Sequence, residues 1–471
     1  MPNRTPVHDT QGADGATALV SHLRREAERH LDRDRLAGLQ PGTPIHFSVP
    51  LADDRDPLLW IAQQAGPTRL YWSGREGSEE TGGFGSAQRV DAPEGCVSPE
   101  LFRLTRPWDE HLDQKVRWFG GLSFRIREES APHWKAFGNG FFVLPQYEVR
   151  RNRRGSSFHA SFVRPADRAL EAERKGFLDG LARLRFPDTP PAARTPSVTQ
   201  RRDLPDRDAW RAGIEQCLER MRAGEYQKVV LARQTSFKSV GAIDPFLLLR
   251  RLRDINPEGF HFAIQPVHGT AFIGASPERL YRRTGDLIRS EAVAGTRRRG
   301  ESMAEDRAMG DALLESEKDV REHRYVAENI REHFHRLAAN FDMDPCLSLL
   351  KLSRLQHLYR GFRGRLAPGV TDAEIVRSLH PTPAVAGHPT RRAMEEIAAL
   401  EPFDRGWYAG PVGWIGPGGA EFAVAIRSAL VHQDRLILYA GAGIVEGSRP
   451  AAEWEELENK IAGFVRILGL P

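Results

Sequence analysis

Two segments of the 471-residue chain carry carboxylates at a spacing that can do chemistry. Near the C-terminus Glu453, Glu456 and Lys460 fall at i, i+3 and i+7 of a segment that reads as a helix starting at Ser448 and Pro450, so all three share one helical face. In SEKDVREHRYVAENI, Asp319 and Glu322 repeat the i, i+3 pair, with His323 beside them. Two helices could each bring a carboxylate pair to one point. Such oxygen donors suit magnesium, which takes one or two protein carboxylates and completes its shell with water and substrate oxygens. The same spacing also describes two solvated helix faces, with Glu456 and Lys460 as a supporting pair, and spacing alone favours that reading. A third group is Lys228 in YQKVVLARQ, where Tyr226, Lys228, Val230 and Ala232 share one face of a predicted strand and Val229 and Leu231 the other. An amine in so apolar a strand is either an edge lysine reaching water or a desolvated group available for proton transfer.

The elements that must position these groups alternate without βαβ regularity. Strand candidates are HFSVPL, TRLYWSG, GNGFFV (Gly138–Val143) with YEVRR after it, SSFHASFV (Ser156–Val163), HFAIQPV and TAFIGAS. The basic RNRRG between two of them reads as a solvated hairpin tip. Amphipathic helices are expected over Ala16–Leu36 and after a cap at Asp208, where Trp210, Ile214, Cys217, Leu218 and Met221 form a core stripe; Asp244 and Pro245 open another helix. GWYAGPVGWI, EFAVAIRSALVHQ and RLILYAGAGIV predict three strands in one antiparallel meander. The class is therefore α+β, a mixed α/β sandwich with large, mainly antiparallel sheets. Residues 1–15 read as a flexible tail, 16–186 as a strand-rich part, 187–207 (PDTPPAARTPSVTQRRDLP and its flank) as a linker or surface crossing, and 208–468 as the region holding the carboxylates.

Composition excludes several classes. Net charge is only +4, from 67 Lys and Arg against 63 Asp and Glu, which disfavours a polynucleotide partner despite RNRR and TRRRG. Cys96, Cys217 and Cys346 are too few and too scattered for a disulfide framework, Cys217 belongs to the core, and a reducing cytoplasm is the simplest setting. No secretory signal and no run of about 18 apolar residues is present, so no membrane association is expected.

KVVLAR at Lys228–Arg233, GASPERL at Gly274–Leu280, AVAGTRRRG ending at Gly300, SEKDVREH, HPTPAVAG at His380–Gly387, YAGPVGW, EFAVAIRSA, YAGAGIV and EWEELENK stand in the order seen in chorismate-utilising enzymes. Together they resemble isochorismate synthases, densely over Asp208 to Leu468 and more loosely over GGLSF and FFVLP to EVRR. LYWSGRE and FFVLP resemble the menaquinone-pathway type more than the siderophore type. The resemblance implies one large fold around a chorismate-binding cleft, with 16–186 and 208–468 in one structural unit. It implies magnesium as cofactor and water addition at ring carbon 2 with loss of the carbon 4 hydroxyl. By the same resemblance Lys228 is the base and Glu278 of PERL the acid, the first helped by burial and the second needing a raised pKa. Glu322 and Glu456 become direct magnesium ligands, with Asp319 and Glu453 acting through water. Arg427, Lys460 and the amides around Gly441 and Gly443 would hold a substrate carboxylate, and Thr296, Thr382 and Tyr408 would line the rest of the pocket. Gly441 and Gly443 also suit a plain strand-end turn.

Relatives that attach nitrogen differ at diagnostic points. Aminodeoxychorismate synthases typically carry a nucleophilic lysine where this chain has Ala294. Anthranilate synthases usually lack the lysine of KVVLAR and work with a glutaminase, for which no segment is present, so no glutaminase subunit is expected. Salicylate synthases, which also eliminate pyruvate, share both Lys228 and Glu278 and remain the alternative activity, although HPTPAVAG resembles the synthase form of its loop. An inactive chorismate-binding module or partner subunit is the alternative of another class; it would require loss of groups that are all present.

Overall fold

A computed structural model of the chain describes residues 10–75, 77, 79–92, 112–165, 170–187 and 196–470. Cys96, residues 1–9 of the expected tail and 188–195 of the expected linker lie outside the described residues. Among the described residues, 22 strands form a twelve-stranded and a ten-stranded sheet, and the pairings are antiparallel. Both halves of the sequence enter both sheets. Strands Pro44–Pro50 and Gly155–Val163 lie at one end of the first sheet, while Trp118–Leu122 joins the second beside Pro411–Gly416. Part of the expected surface crossing is itself a strand, Val198–Leu204, paired with Lys228–Ser239.

Three segments that look like single extended runs, or nearly so, leave one sheet for the other. Gly140–Leu144 belongs to the second sheet and Tyr147–Asn152 to the first, with Pro145 breaking the ladder between them. Thr270–Ser276 of the first sheet continues through Pro277 and Glu278 into Arg279–Thr284 of the second. The expected three-strand meander is corrected in the same way. EFAVAIRSALVHQ splits into Gly419–Val424 in the second sheet and Ser428–His432 in the first, leaving two hairpins on different sheets. Arg427 makes the bend at φ +52, a left-handed conformation that non-glycine residues seldom adopt. The last two crossings are tied together: Val424 N donates to Glu278 O (3.0 Å), Ser276 Oγ to Val424 O (2.6 Å) and Ala275 N to Arg427 O (3.1 Å).

The core between the sheets is aromatic. Trp407 packs against Phe137 and Phe141, and Trp134 against Phe137 and Phe272, mostly edge to face at centroid separations of 5.0–5.5 Å. Trp134 Nε1 donates to Tyr439 Oη (3.1 Å), and Tyr439 stacks on Tyr408, so this core runs up to the cleft. The two acidic segments are helices Glu317–Leu337, packed on strand Leu287–Arg298 of the second sheet, and Pro450–Ile467, packed on strand Arg435–Val445 of the first. Small corrections concern caps. Asp206, not Asp208, accepts from Ala209 N at the start of Arg207–Arg222, and Arg449 rather than Ser448 precedes Pro450. The first helix begins at Thr10, ahead of Ala16, and breaks after His30 where Asp32 caps Arg33–Ala37.

Gly406 links the aromatic core to the cleft. It sits at φ +53, and a Cβ there would lie 2.1 Å from the Trp134 indole. Gly406→Ala is expected to destabilise the fold by about 2–4 kcal/mol, because it adds left-handed strain to overpacking. A lowered midpoint in urea unfolding checks this; an unchanged midpoint contradicts it.

Candidate active site

Glu278 and Arg427 stand at the two tied crossings, and the acidic helices flank them from opposite sheets. The resulting cavity, of ≈100 Å³, is lined by Glu278, Thr296, Asp319, Glu322, Tyr408, Arg427, Gly441, Glu456 and Lys460 among the residues expected from sequence. Four others lie around it rather than on its wall. Lys228 is fully buried behind Glu322, with Nζ 2.9 Å from Glu322 Oε1. Gly443 lies against the same pair, and a Cβ there would fall 2.5 Å from Glu322 Oε1 and 3.2 Å from Lys228 Cε. Glu453 is buried and takes Lys318 Nζ at 2.9 Å. Thr382, expected to line the pocket, is set back in the His380–Gly387 loop, where its carbonyl accepts from Val385 N and Ala386 N; Ala384 and Val385 reach the cavity instead.

Strand register explains the exposed backbone of the glycines. Val230 N donates to Ala386 O and Ala232 N to Glu401 Oε1, both away from the neighbouring strand Arg435–Val445. Their partners across the ladder, Gly443 and Gly441, are therefore in non-hydrogen-bonded pairs and turn N–H and C=O outward. Strand Ser428–His432 covers that side only as far as Tyr439, so the glycine edge beyond it faces the cleft. Lys460 Nζ uses this edge, donating to Gly441 O (2.8 Å) and to Glu456 Oε1 (2.5 Å).

Charge is balanced locally. Asp319 takes Arg297 Nη2 at 2.6 Å, so each of the four helix carboxylates has its own cation. Burial works against the charge of Glu456, yet Lys460, Lys318 and Arg427 hold it below the usual carboxylate range. Desolvation pulls Arg427 down to about 10, and its Nη1 donates to Lys460 O (3.1 Å). Glu278 shows the opposite behaviour. Desolvation, then the like charge of Glu291, pushes its pKa up to about 8 against the pull of Lys228, Lys460 and Arg75. The shift runs in the direction that the sequence reading expects of Glu278.

Two groups that reasoning from sequence passed over complete the site. Glu291 receives the fork of Arg75 (2.5 and 2.7 Å) and the amide of Arg279 (3.0 Å), and Arg75 also donates to Pro277 O (2.7 Å). Arg75, from the N-terminal part of the chain, thereby braces the turn that carries Glu278. His357 lies on the cavity wall with Nδ1 against Gly295 O (3.2 Å) and Thr296 Oγ1 (3.1 Å); burial, then Arg427, lowers its pKa to about 3, so the ring is neutral. Its position in the strand Leu355–Leu366, two residues before Tyr359, offered only strand alternation as a signal. His323, adjacent to Glu322 in sequence, faces away and anchors its helix through Nε2 to Ala292 O (3.1 Å).

Residues 40–469 match the family model for chorismate binding enzyme. The isochorismate synthase of Catharanthus roseus chloroplasts is 35% identical over 90% of this chain and 81% of its own. That of Haemophilus influenzae, MenF, is 31% identical over 95% and 97% respectively. The chain belongs to the isochorismate synthase family of chorismate-binding enzymes. In structure it is similar to the menaquinone-specific isochorismate synthase MenF from Escherichia coli, with a TM-score of 0.83, 31% identity and coverage of 95% of this chain and 99% of the other. Among the described residues no helix is long and apolar enough to cross a membrane.

The donor set fits magnesium in kind. Glu322 and Glu456 project hard oxygens into one cavity from two helices, and one or two such ligands are what magnesium takes from protein. Among the described residues no three His, Cys, Asp or Glu groups form a preformed ion cage.

A neutral Glu278 in the folded state is a stability burden. Ionisation is favoured near pH 4.5 in the unfolded chain and near 8 in the fold, so folding is penalised increasingly between those values and constantly above pH 8. Glu278→Gln is therefore expected to raise stability by about 3 kcal/mol at pH 7, with a gain that vanishes below pH 4. Thermal or urea unfolding across pH 4–9 measures it; a pH-independent difference would mean that the carboxyl ionises normally.

Proposed function

We propose that the protein is a magnesium-dependent isochorismate synthase, an isomerase that adds water at ring carbon 2 of chorismate, shifts the double bonds and releases the hydroxyl of carbon 4. The observation that carries this reading is Glu278, a buried carboxyl with pKa about 8 in a cavity that Arg427 and Lys460 also line. Protonated at neutral pH, it can give its proton to the departing hydroxyl, which then leaves as water. Lys228 takes the proton of the incoming water once Glu322 has moved off its Nζ and left the amine uncharged and open to the cavity, so one proton is accepted and one donated in each turnover. Arg427 offers its fork to a substrate carboxylate, joined by Lys460 and the outward amides of Gly441 and Gly443. Thr296, Tyr408 and, from the loop that holds Thr382, Ala384 and Val385 bound the ring.

Glu322 and Glu456 would hold magnesium, with Asp319 and Glu453 acting through water; when bound, the ion supplies positive charge that neutralises and orients a substrate carboxylate. Ala294 offers no amine for covalent capture, which leaves water as nucleophile. The reading includes one structural unit formed by 16–186 and 208–468, no glutaminase subunit and a cytoplasmic setting. It assigns the product to menaquinone formation, supported by likeness to the menaquinone-specific enzyme of E. coli.

Incubation with chorismate, with and without magnesium, followed by chromatography is expected to give isochorismate only when the ion is present. Pyruvate release would identify a salicylate synthase instead, and no turnover would identify a binding module. Lys228→Ala should lower turnover by about 10²–10⁴-fold while the fold persists, as for loss of a proton-transfer group. Glu456→Ala should move the magnesium dependence to higher concentration. The rate should fall as pH rises through about 8, where Glu278 loses its proton, and full activity of either variant would refute its assigned role.

A further inference from the structure

Behind the chorismate cavity lies a larger chamber of ≈450 Å³, between the C-terminal end of helix Pro245–Ile255, the last turns of helix Pro450–Ile467 and residues 352–355. The two spaces share a wall made of Pro277, His357, Arg427 and Lys460. On the chamber side the lining is mainly apolar, with Leu252, Ile255, Leu352, Leu355, Phe464 and Leu470. Arg354 and Arg466 stand exposed at its rim, and neither guanidinium meets a carboxylate among the described residues. The one acidic group in the lining, Glu258, is already engaged by the amide of Ser353 (2.8 Å) and by its hydroxyl.

Gly463 gives independent reason to regard the chamber as kept open. It lies inside an 18-residue helix, where glycine is unfavourable relative to alanine. The nearest atoms that a Cβ there would meet, on Asn256, Ile255 and Leu252, lie at 3.8–3.9 Å, so neither close packing nor a left-handed φ demands glycine. What the missing side chain provides is space facing the chamber.

We propose that the chamber is a second ligand site, for a small ring-bearing carboxylic acid, and that its occupant acts on the chorismate cavity through the shared wall of Arg427 and Lys460. An apolar body satisfies the aliphatic and aromatic lining, and the carboxylate satisfies the unpaired guanidiniums at the rim. Arg427 is held at an unusual backbone angle and bonded to Lys460 O, so pressure from the chamber reaches both cations at once. The proposal takes from the preceding reading only that the cavity beyond the wall holds chorismate.

Calorimetry with 1-naphthoate as probe, and the neutral 1-naphthylmethanol as control, tests binding without any need for turnover. Saturable binding of the acid at least tenfold tighter than the alcohol is expected, together with a change of threefold or more in the affinity for chorismate. Gly463→Leu fills the chamber and should weaken naphthoate binding at least tenfold while chorismate binds as before. Arg466→Glu, at an exposed position, should weaken the acid but not the alcohol, and serves if the leucine variant does not fold. Equal binding of acid and alcohol, no binding, or naphthoate displacing chorismate equally well in Gly463→Leu would overturn the proposal, the last by locating the probe in the chorismate cavity itself.

Discussion

Two strands leave one sheet for the other at the same place, and the hydrogen bonds that tie those crossings together govern the rest of the site. Glu278 and Arg427 are the residues at the bends, and Val424 N to Glu278 O with Ala275 N to Arg427 O fixes one bend relative to the other. A bend inside a continuous sheet would leave its backbone groups unpaired and buried. Here each crossing supplies partners for the other, and the side chains at the bends point to the seam between sheets. The left-handed backbone of Arg427 is tolerated because both flanking strands are held in place.

The seam is also where the protein concentrates buried charge. Four carboxylates are matched by Lys228, Arg297, Lys318 and Lys460, each within 2.5–2.9 Å, which offsets desolvation pair by pair. Glu278 is the exception, since its neighbours include a second carboxylate, Glu291, already committed to Arg75 and Arg279. Leaving one carboxyl without a cation of its own favours its protonated form. Stability is surrendered at this position, as is common where a group is held away from its ordinary protonation state.

The larger chamber beyond Arg427 and Lys460 shows that cavity size alone does not mark the chemistry. The narrower space holds the convergent polar groups, and the wider one holds apolar walls. Their common wall places Arg427 and Lys460 between two spaces rather than beside one.

Much of this was legible in the linear chain because its signals are local. Alternation marked YQKVVLARQ, and apolar runs marked HFAIQPV and TAFIGAS; i, i+3 spacing put Glu453 with Glu456 and Asp319 with Glu322; Asp244 with Pro245 announced a helix start. Motif order in the chain indicated the family. The breaks within EFAVAIRSALVHQ and after FFVLP were not legible, since a run of apolar residues looks the same whether it stays in one sheet or changes to the next. Nor could spacing reveal that Arg75 braces the turn at Glu278 from 203 residues away, that Glu322 shields Lys228 from the cavity, or that His357 supports Thr296. Sequence alone determined which residues can carry charge and on which face of their own element they stand, because helix and strand periodicity are properties of neighbouring residues. Only the tertiary structure decided which charges meet and which proton is retained, because desolvation and Coulomb energies depend on distances between elements that the chain brings together from far apart.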